Sequence, residues 1–276
     1  MTYNSTKTGA EVDAALNGVL QLADSTVTNG NARGTGAVDL QTLRSSAAQV
    51  ASGARSVVGG GEDNTASGLQ STIGGGYGNT ASNSQSTISG GVLNTTNGFQ
   101  GAVGGGYGNT ASGERSFIPG GARASTSGLF GAHAWSGEQR ATLGDNQHFG
   151  LTVQTSTTNA TATILTSDRL SPIATNVNVL PDNAVWSGPV WVTARSTGGA
   201  TAGWLFWCIF KRGAGPGTAT LVHSTTVASH VEAALTGVTC TLVANTTRGS
   251  AEISVAGLAA TTIDWFGEFF GARIHR

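Results

Sequence analysis

The chain has 276 residues, 42 of them Gly and only 5 Pro, with 11% charged side chains and a formal charge of −1. A charge near zero without a basic stripe excludes the phosphate-neutralising surface on which nucleic-acid binding depends. The longest apolar stretch, the 7 residues 204–210, is far short of the roughly 20 that a membrane-spanning helix requires, so no membrane insertion is expected.

The opening has no charged segment followed by an apolar run, so no secretory signal is expected. Thr8 and Glu11 form a capping-box pattern, and Val12, Leu16, Val19 and Ala23 follow at helical spacing, which predicts a short amphipathic helix. Such a helix suits a three-stranded coiled coil or docking on its own chain. Residues 24–36, rich in Ser, Thr, Asn and Gly, read as a linker, so 1–40 forms a first segment.

Residues 41–145 repeat with a period of 15. Copies starting at Ser56, Ser71, Ser86, Gly101 and Ser116 align without gaps, and degenerate copies start at Gln41 and Gly131. The third position holds Leu43, Val58, Ile73, Ile88, Val103 and Ile118, which reads as an aliphatic core ladder. The eleventh holds Ala51, Ala66, Ala81, Thr96, Ala111 and Thr126, small enough for two strand layers to approach. The thirteenth holds Gly53, Gly68, Asn83, Gly98, Gly113 and Gly128, and reads as a turn with positive φ. Each unit is too small to bury its apolar face alone, so the coils stack, and six coils about 4.8 Å apart make a column about 29 Å tall. So thin a core predicts that Val57, Thr72, Thr87, Ala102 and Phe117, at the outward second position, pack against neighbouring chains around a threefold axis.

The pattern N-T-A-S-G-x-x-S-x-I/V-G-G-G resembles the head repeats of the YadA-like trimeric adhesins and the same repeats in phage tail fibres. The resemblance implies a left-handed parallel β-roll in a tight homotrimer. The adhesins' signal peptide, coiled-coil stalk and membrane barrel have no counterpart here, which favours the phage fibres. The opening TGAEVDAAL is similar to phage fibre N-termini, which implies that 1–40 attaches to other virion proteins.

The period disappears after Leu143, and Trp186, Trp191, Trp204, Trp207 and Trp265 all follow it. Short alternating strands between Gly/Pro/Thr-rich turns predict a β-sandwich or jelly roll over 146–276. The runs WLFWCIFKRGAG and TLVANTTRGSAEISVAGLAATTIDWFGEFFGARI are similar to C-terminal domains of phage tail-fibre proteins, which implies a receptor-binding end. In strand phase, Trp207 goes with Ile209 and Trp265 with Ile263, which reads as core. Trp191 and Trp204 point the other way and are the candidate receptor-binding residues, as platforms for sugar rings or as trimer contacts.

The GGGYGN loops from Gly74 and Gly104 look like phosphate cradles, but they recur at fixed period with no helix after them and read as turns. The histidines lack zinc-site spacing. His133 falls in the ladder column, where three copies would converge on an ion, or where the roll ends and the ring meets solvent or a carbonyl. Asp168, Asp182, Glu232, Glu252, Asp264 and Glu268 are dispersed, and Glu252, Asp264 and Glu268 sit at outward strand phases where solvated charge is expected. With no glycosidase-like acid pair and no G-x-S-x-G elbow, the expectation is a protein that is not an enzyme and carries no cofactor or metal. Cys208 and Cys240 read as free core thiols.

Together these readings predict an all-β chain: a trimeric parallel β-roll, then a sandwich, with a short N-terminal helix. The expected function is a homotrimeric phage tail fibre, made in the host cytoplasm and carried on the virion, that binds a host-surface glycan or protein. A capsid decoration protein is the alternative, and a polysaccharide-degrading tailspike ranks below it.

Overall fold

The structure, a computed structural model, describes residues 33–137, 143–144 and 146–275. The helix expected from Thr8 lies outside the described residues. Apart from two short 3-10 turns, Pro216–Thr218 and Ala233–Leu235, every regular element described is a strand, as expected for an all-β chain.

The repeats form a parallel β-solenoid of about six turns. Its strands in chain order are β1 (Val38–Asp39), β2 (Val57–Val58), β3 (Thr65–Ala66), β4 (Thr72–Ile73), β5 (Thr80–Ala81), β6 (Thr87–Ile88), β7 (Thr95–Thr96), β8 (Ala102–Val103), β9 (Thr110–Ala111), β10 (Phe117–Ile118) and β11 (His133–Trp135). One sheet stacks β1-β2-β4-β6-β8-β10-β11 and the other β3-β5-β7-β9, all in parallel. Val58, Ile73, Ile88, Val103 and Ile118 form the buried ladder, facing the buried column Ala66, Ala81, Thr96 and Ala111.

A third inner column is polar. Asn64, Asn79, Asn94 and Asn109 are fully buried. Asn79 Nδ2 donates to Gly75 O at 3.1 Å, Gly91 O at 2.9 Å and Asn64 Oδ1 at 3.1 Å, and Asn94 N–H donates to Asn79 Oδ1 at 3.0 Å. Each amide thus satisfies the backbone of its own turn and of the next coil, which two-residue strands cannot do unaided.

Three expectations about the roll are corrected. Leu43 is not in the ladder: it is 45% exposed and bridges to Glu62. The first coil is 19 residues long, since Val38 pairs with Val57 and Asp39 with Val58, so buried Asp39 takes the ladder position. Its carboxylate accepts the Ala51 N–H at 3.0 Å and the Gln41 amide at 3.2 Å, a polar lid on the apolar column. At the other end the coil is 16 residues long, since Phe117 pairs with His133, so buried Ala134 and not His133 continues the ladder. Finally, of the thirteenth-position residues Gly128 has the expected positive φ, 74°, but Asn83 does not, and neither do Gly53, Gly68, Gly98 and Gly113. A Cβ on any of them would overlap the backbone of the next coil, at Gly68, Asn83, Gly113 and Leu129 respectively. The left-handed residues are instead Gly61, Gly76, Gly91, Gly106 and Gly121, together with Arg55, Gln70, Gln85, Gln100 and Arg115, at φ 54–57°.

The remaining strands are β12 (Asn146–Thr157), β13 (Thr163–Ile164), β14 (Asn178–Val179), β15 (Ala184–Ser196), β16 (Thr201–Lys211), β17 (Thr220–Val231), β18 (Thr239–Asn245), β19 (Ser250–Ala256) and β20 (Ile263–His275). Where a separate sandwich or jelly roll was expected, the roll's own sheet runs on. β12 pairs antiparallel with β11, and the order continues β12-β20-β15-β16-β17. A smaller sheet of β13, β14, β18 and β19 covers the inner face: a Cβ on Gly267 would lie 2.7 Å from Ile253 Cδ1 and 3.0 Å from Leu165 Cδ2. Under that cover Trp186, Val190, Val192, Phe206, Trp265 and Phe269 are buried.

Candidate functional site: a trough on the outer face of the terminal sheet

Alternation sends the other half of each long strand to the uncovered face. Across it, Gln154 of β12 aligns with Phe266 of β20, Phe266 with Thr193 of β15, Thr193 with Gly203 of β16, and Gly203 with His230 of β17. The next row runs Ser156, Asp264, Arg195 and Thr201. On the other side Thr152, Glu268, Trp191 and Leu205 align. The first row and Asp264, Arg195 and Thr201 of the second line a trough of about 630 Å³, together with Arg169. That size lies within the roughly 300–1,000 Å³ of ligand sites.

Gly203 opens the floor, since it places no side chain there and an added Cβ would meet only Val192 O at 3.6 Å. Phe266 presents an exposed ring (46%). Asp264 accepts a hydrogen bond from Ser156 Oγ, while Arg195 has no ion pair among the described residues. Beyond the row, Thr201 Oγ1 donates to Glu232 Oε1 at 2.8 Å, and this hydrogen bond holds the Glu232 carboxyl below its usual range.

Nearer the roll, the same face carries an aromatic stack. Trp135 lies between His133, at 6.0 Å and 10°, and His148, at 5.2 Å and 7°, with Phe270 against all three. Gly150 makes room, since a Cβ there would overlap the His133 ring. Burial lowers the basicity of His133, with nearby Glu268 opposing it.

The two candidate tryptophans fall on opposite faces. Trp191 is 47% exposed and stands on the outer face next to the trough. Trp204 pairs with Val192 on the covered face and stacks on Trp265 at 5.8 Å, so it packs against the core. Trp207, expected in the core with Ile209, is outward and 49% exposed. Both phases of β16 are apolar, with Trp204, Phe206 and Cys208 on one side and Leu205, Trp207 and Ile209 on the other, so alternation could not say which was covered. Glu252 corrects another expectation: it is buried, with Arg248 Nε 2.7 Å from Oε1, Nη2 2.8 Å from Oε2, and Ser250 Oγ donating as well. Cys208 and Cys240 are free, and burial pushes both thiols up to about 12. The sequence reading missed Arg169, Arg195, His230, Gln154 and Phe266. The phase of Phe266 opposite Trp265 was the one available signal.

In class, then, the molecule is a parallel β-roll whose sheet passes into a long antiparallel one. No protein-family model matches the sequence, and no curated protein does. Among solved structures, the chain is similar to the tailspike protein gp49 from Acinetobacter baumannii bacteriophage Fri1, a capsular polysaccharide depolymerase, at 11% identity over 87% of this chain and 44% of that one, with a TM-score of 0.26. It is also similar to the tailspike protein of the Acinetobacter phage vB_ApiP_P1, at 11% identity over 88% of this chain and 55% of that one, with a TM-score of 0.24. The chain spans about half the length of these structures. Both likenesses are distant, and what the descriptions say belongs to those proteins. The expectation that the chain is not an enzyme is nonetheless withdrawn, because a polysaccharide depolymerase stands among these neighbours.

Proposed function

We propose that the chain is a receptor-binding protein of a phage tail, carried on the virion as a homotrimer, whose terminal sheet holds a host-surface glycan. The observation that carries this reading is the trough between Gln154 and His230, bordered by exposed Trp191 and floored by Phe266. An aromatic face beside hydrogen-bonding groups is the chemistry that grips a pyranose ring. The resemblance of the repeats to phage-fibre and adhesin heads supports the virion setting, with residues 1–40 as the attaching segment, 41–145 as spacer and 146–276 as the binding end.

Threefold assembly has support of its own. A ring closed by head-to-tail contacts needs two different patches on each chain. The roll offers exposed apolar side chains on two different turns, Tyr77, Val92 and Tyr107 on one, beyond which Glu62 and Leu43 follow, and Leu69 and Phe99, with Ser84 between them, on the other. Three sites on one rigid body raise avidity without tight single-site affinity.

Labelled full-length protein, added to host cells, is expected to bind and to lose binding after periodate oxidation of surface sugars. Binding abolished by protease treatment of the cells but untouched by periodate refutes the glycan reading. Assay of the same mixture for new reducing ends measures cleavage. Sedimentation of the wild type is expected to give a trimer and of the Tyr77→Glu/Tyr107→Glu variant a monomer. A folded wild-type monomer overturns the assembly.

A further inference from the structure

We infer that the trough selects an anionic saccharide and seats its carboxylate between Arg169 and Arg195. This inference rests on the glycan reading above and adds the class of sugar. Both arginines line the trough and are exposed, and neither guanidinium has a hydrogen bond or ion pair among the described residues. The nearest acid in the rows, Asp264, aligns with Arg195 across the strands but makes no ion pair with it, and its Oδ1 accepts from Ser156 Oγ.

Two guanidiniums without ion-pair partners among the described residues line one concavity, and an anionic group seated there gains the attraction of both. The planar fork of Arg fits the two oxygens of a carboxylate. Arg169 is held in a left-handed backbone, φ 64°, in a turn where Leu170 N–H donates to Asp168 Oδ1 and Thr166 Oγ1 donates to Leu170 O. The sugar ring then lies over Phe266, with Gly203 leaving depth for it, and its hydroxyls fall near Asp264 and the Gln154 amide.

The test is a glycan array bearing uronic-acid, sialic-acid, sulfated and neutral oligosaccharides, probed with the full-length protein. Carboxylated sugars are expected to bind, with affinity falling as salt rises. Arg195→Ala is expected to weaken that binding about ten-fold or more, as the loss of a charge-assisted hydrogen bond does. Gly203→Leu, which fills the floor where the backbone accepts a side chain, is expected to abolish it without changing the melting temperature. Equal binding of neutral sugars by wild type and Arg195→Ala overturns the anionic inference and leaves the glycan reading standing. Binding of sulfated sugars alone overturns the carboxylate, and binding to no sugar overturns both readings.

Discussion

At the scale of single residues, the roll is held as much by asparagine as by aliphatic side chains. Asn79 supplies three donated hydrogen bonds and accepts the Asn94 N–H. Asn79→Ala orphans the buried Asn94 N–H and the half-buried Gly75 carbonyl, while Gly91 O keeps the Tyr77 N–H. Because each unsatisfied group costs about 1–3 kcal/mol, the variant is expected to lose about 3 kcal/mol or more in denaturant unfolding. A loss under about 0.5 kcal/mol would show that water replaces the amide. The two thiols give a second residue-scale expectation. Burial moves Cys208 and Cys240 from the ordinary 9 to about 12, so at pH 8 neither is a thiolate in the folded chain. Between those values the folded state keeps protons that the unfolded chain releases, so stability is full below pH 9 and falls as pH rises toward 12. A disulfide-exchange reagent at pH 8 is therefore expected to label Cys208 only after denaturant is added, and prompt labelling of native Cys208 would contradict its burial.

At the scale of the element, the three positions of a coil's triple glycine are not equivalent. In the coil from Ser71, a Cβ on Gly74 would overlap Ser89 O and one on Gly76 would overlap Gly91 O, whereas one on Gly75 would meet nothing closer than Gly60 C at 3.9 Å. Gly76 also has a φ of 94°, which L side chains resist. Melting curves are expected to place Gly75→Ala within about 1 kcal/mol of wild type and to show Gly76→Ala losing several times that. If the two variants melt alike, the coils are not packed at this spacing. The same scale shows what the sequence could reveal. Period and small-residue columns are local, and they located the ladder from Val58 to Ile118 and its Ala/Thr partner column. A coil of 19 or 16 residues breaks the period without a mark in composition, so Leu43 and His133 were assigned one register and the chain adopts another. Strand phase likewise groups residues by face, but the cover over the inner face comes from residues distant in sequence, such as Ile253 and Leu165 over Gly267. That is why Trp191 could be placed at the site and Trp207 could not be removed from the core.

For the whole molecule, the decisive feature is that roll and terminal sheet share one hydrogen-bonded sheet through β10, β11 and β12. The last strand reaches back to clasp the end of the roll. Buried Arg273 lies 4.4 Å from the centre of the Phe149 ring, and its Nη2 donates to Ser127 Oγ at 2.9 Å and Ser125 O at 3.3 Å. Gln147 bonds Ser125 on both sides, its Oε1 accepting the N–H and its Nε2 donating to the carbonyl, each at 2.8 Å. Such a joint leaves no hinge between the roll and the terminal sheet. It also predicts that the two parts unfold together, since melting either strips the other of strand partners and of the groups that satisfy Ser125. Five of the six Trp lie at 186 or beyond and the sixth, Trp135, stands at the joint, while Tyr77 and Tyr107 lie in the roll, so the Trp signal is dominated by the terminal part and these Tyr report the roll. Their thermal transitions are expected to coincide within about 2 °C in the wild type, because one cooperative unit has one midpoint. In Gln147→Ala, which cuts the Ser125 pair, the Tyr transition is expected to move below the Trp transition. Separate midpoints in the wild type would mean that the shared sheet does not couple the roll to the surface it carries.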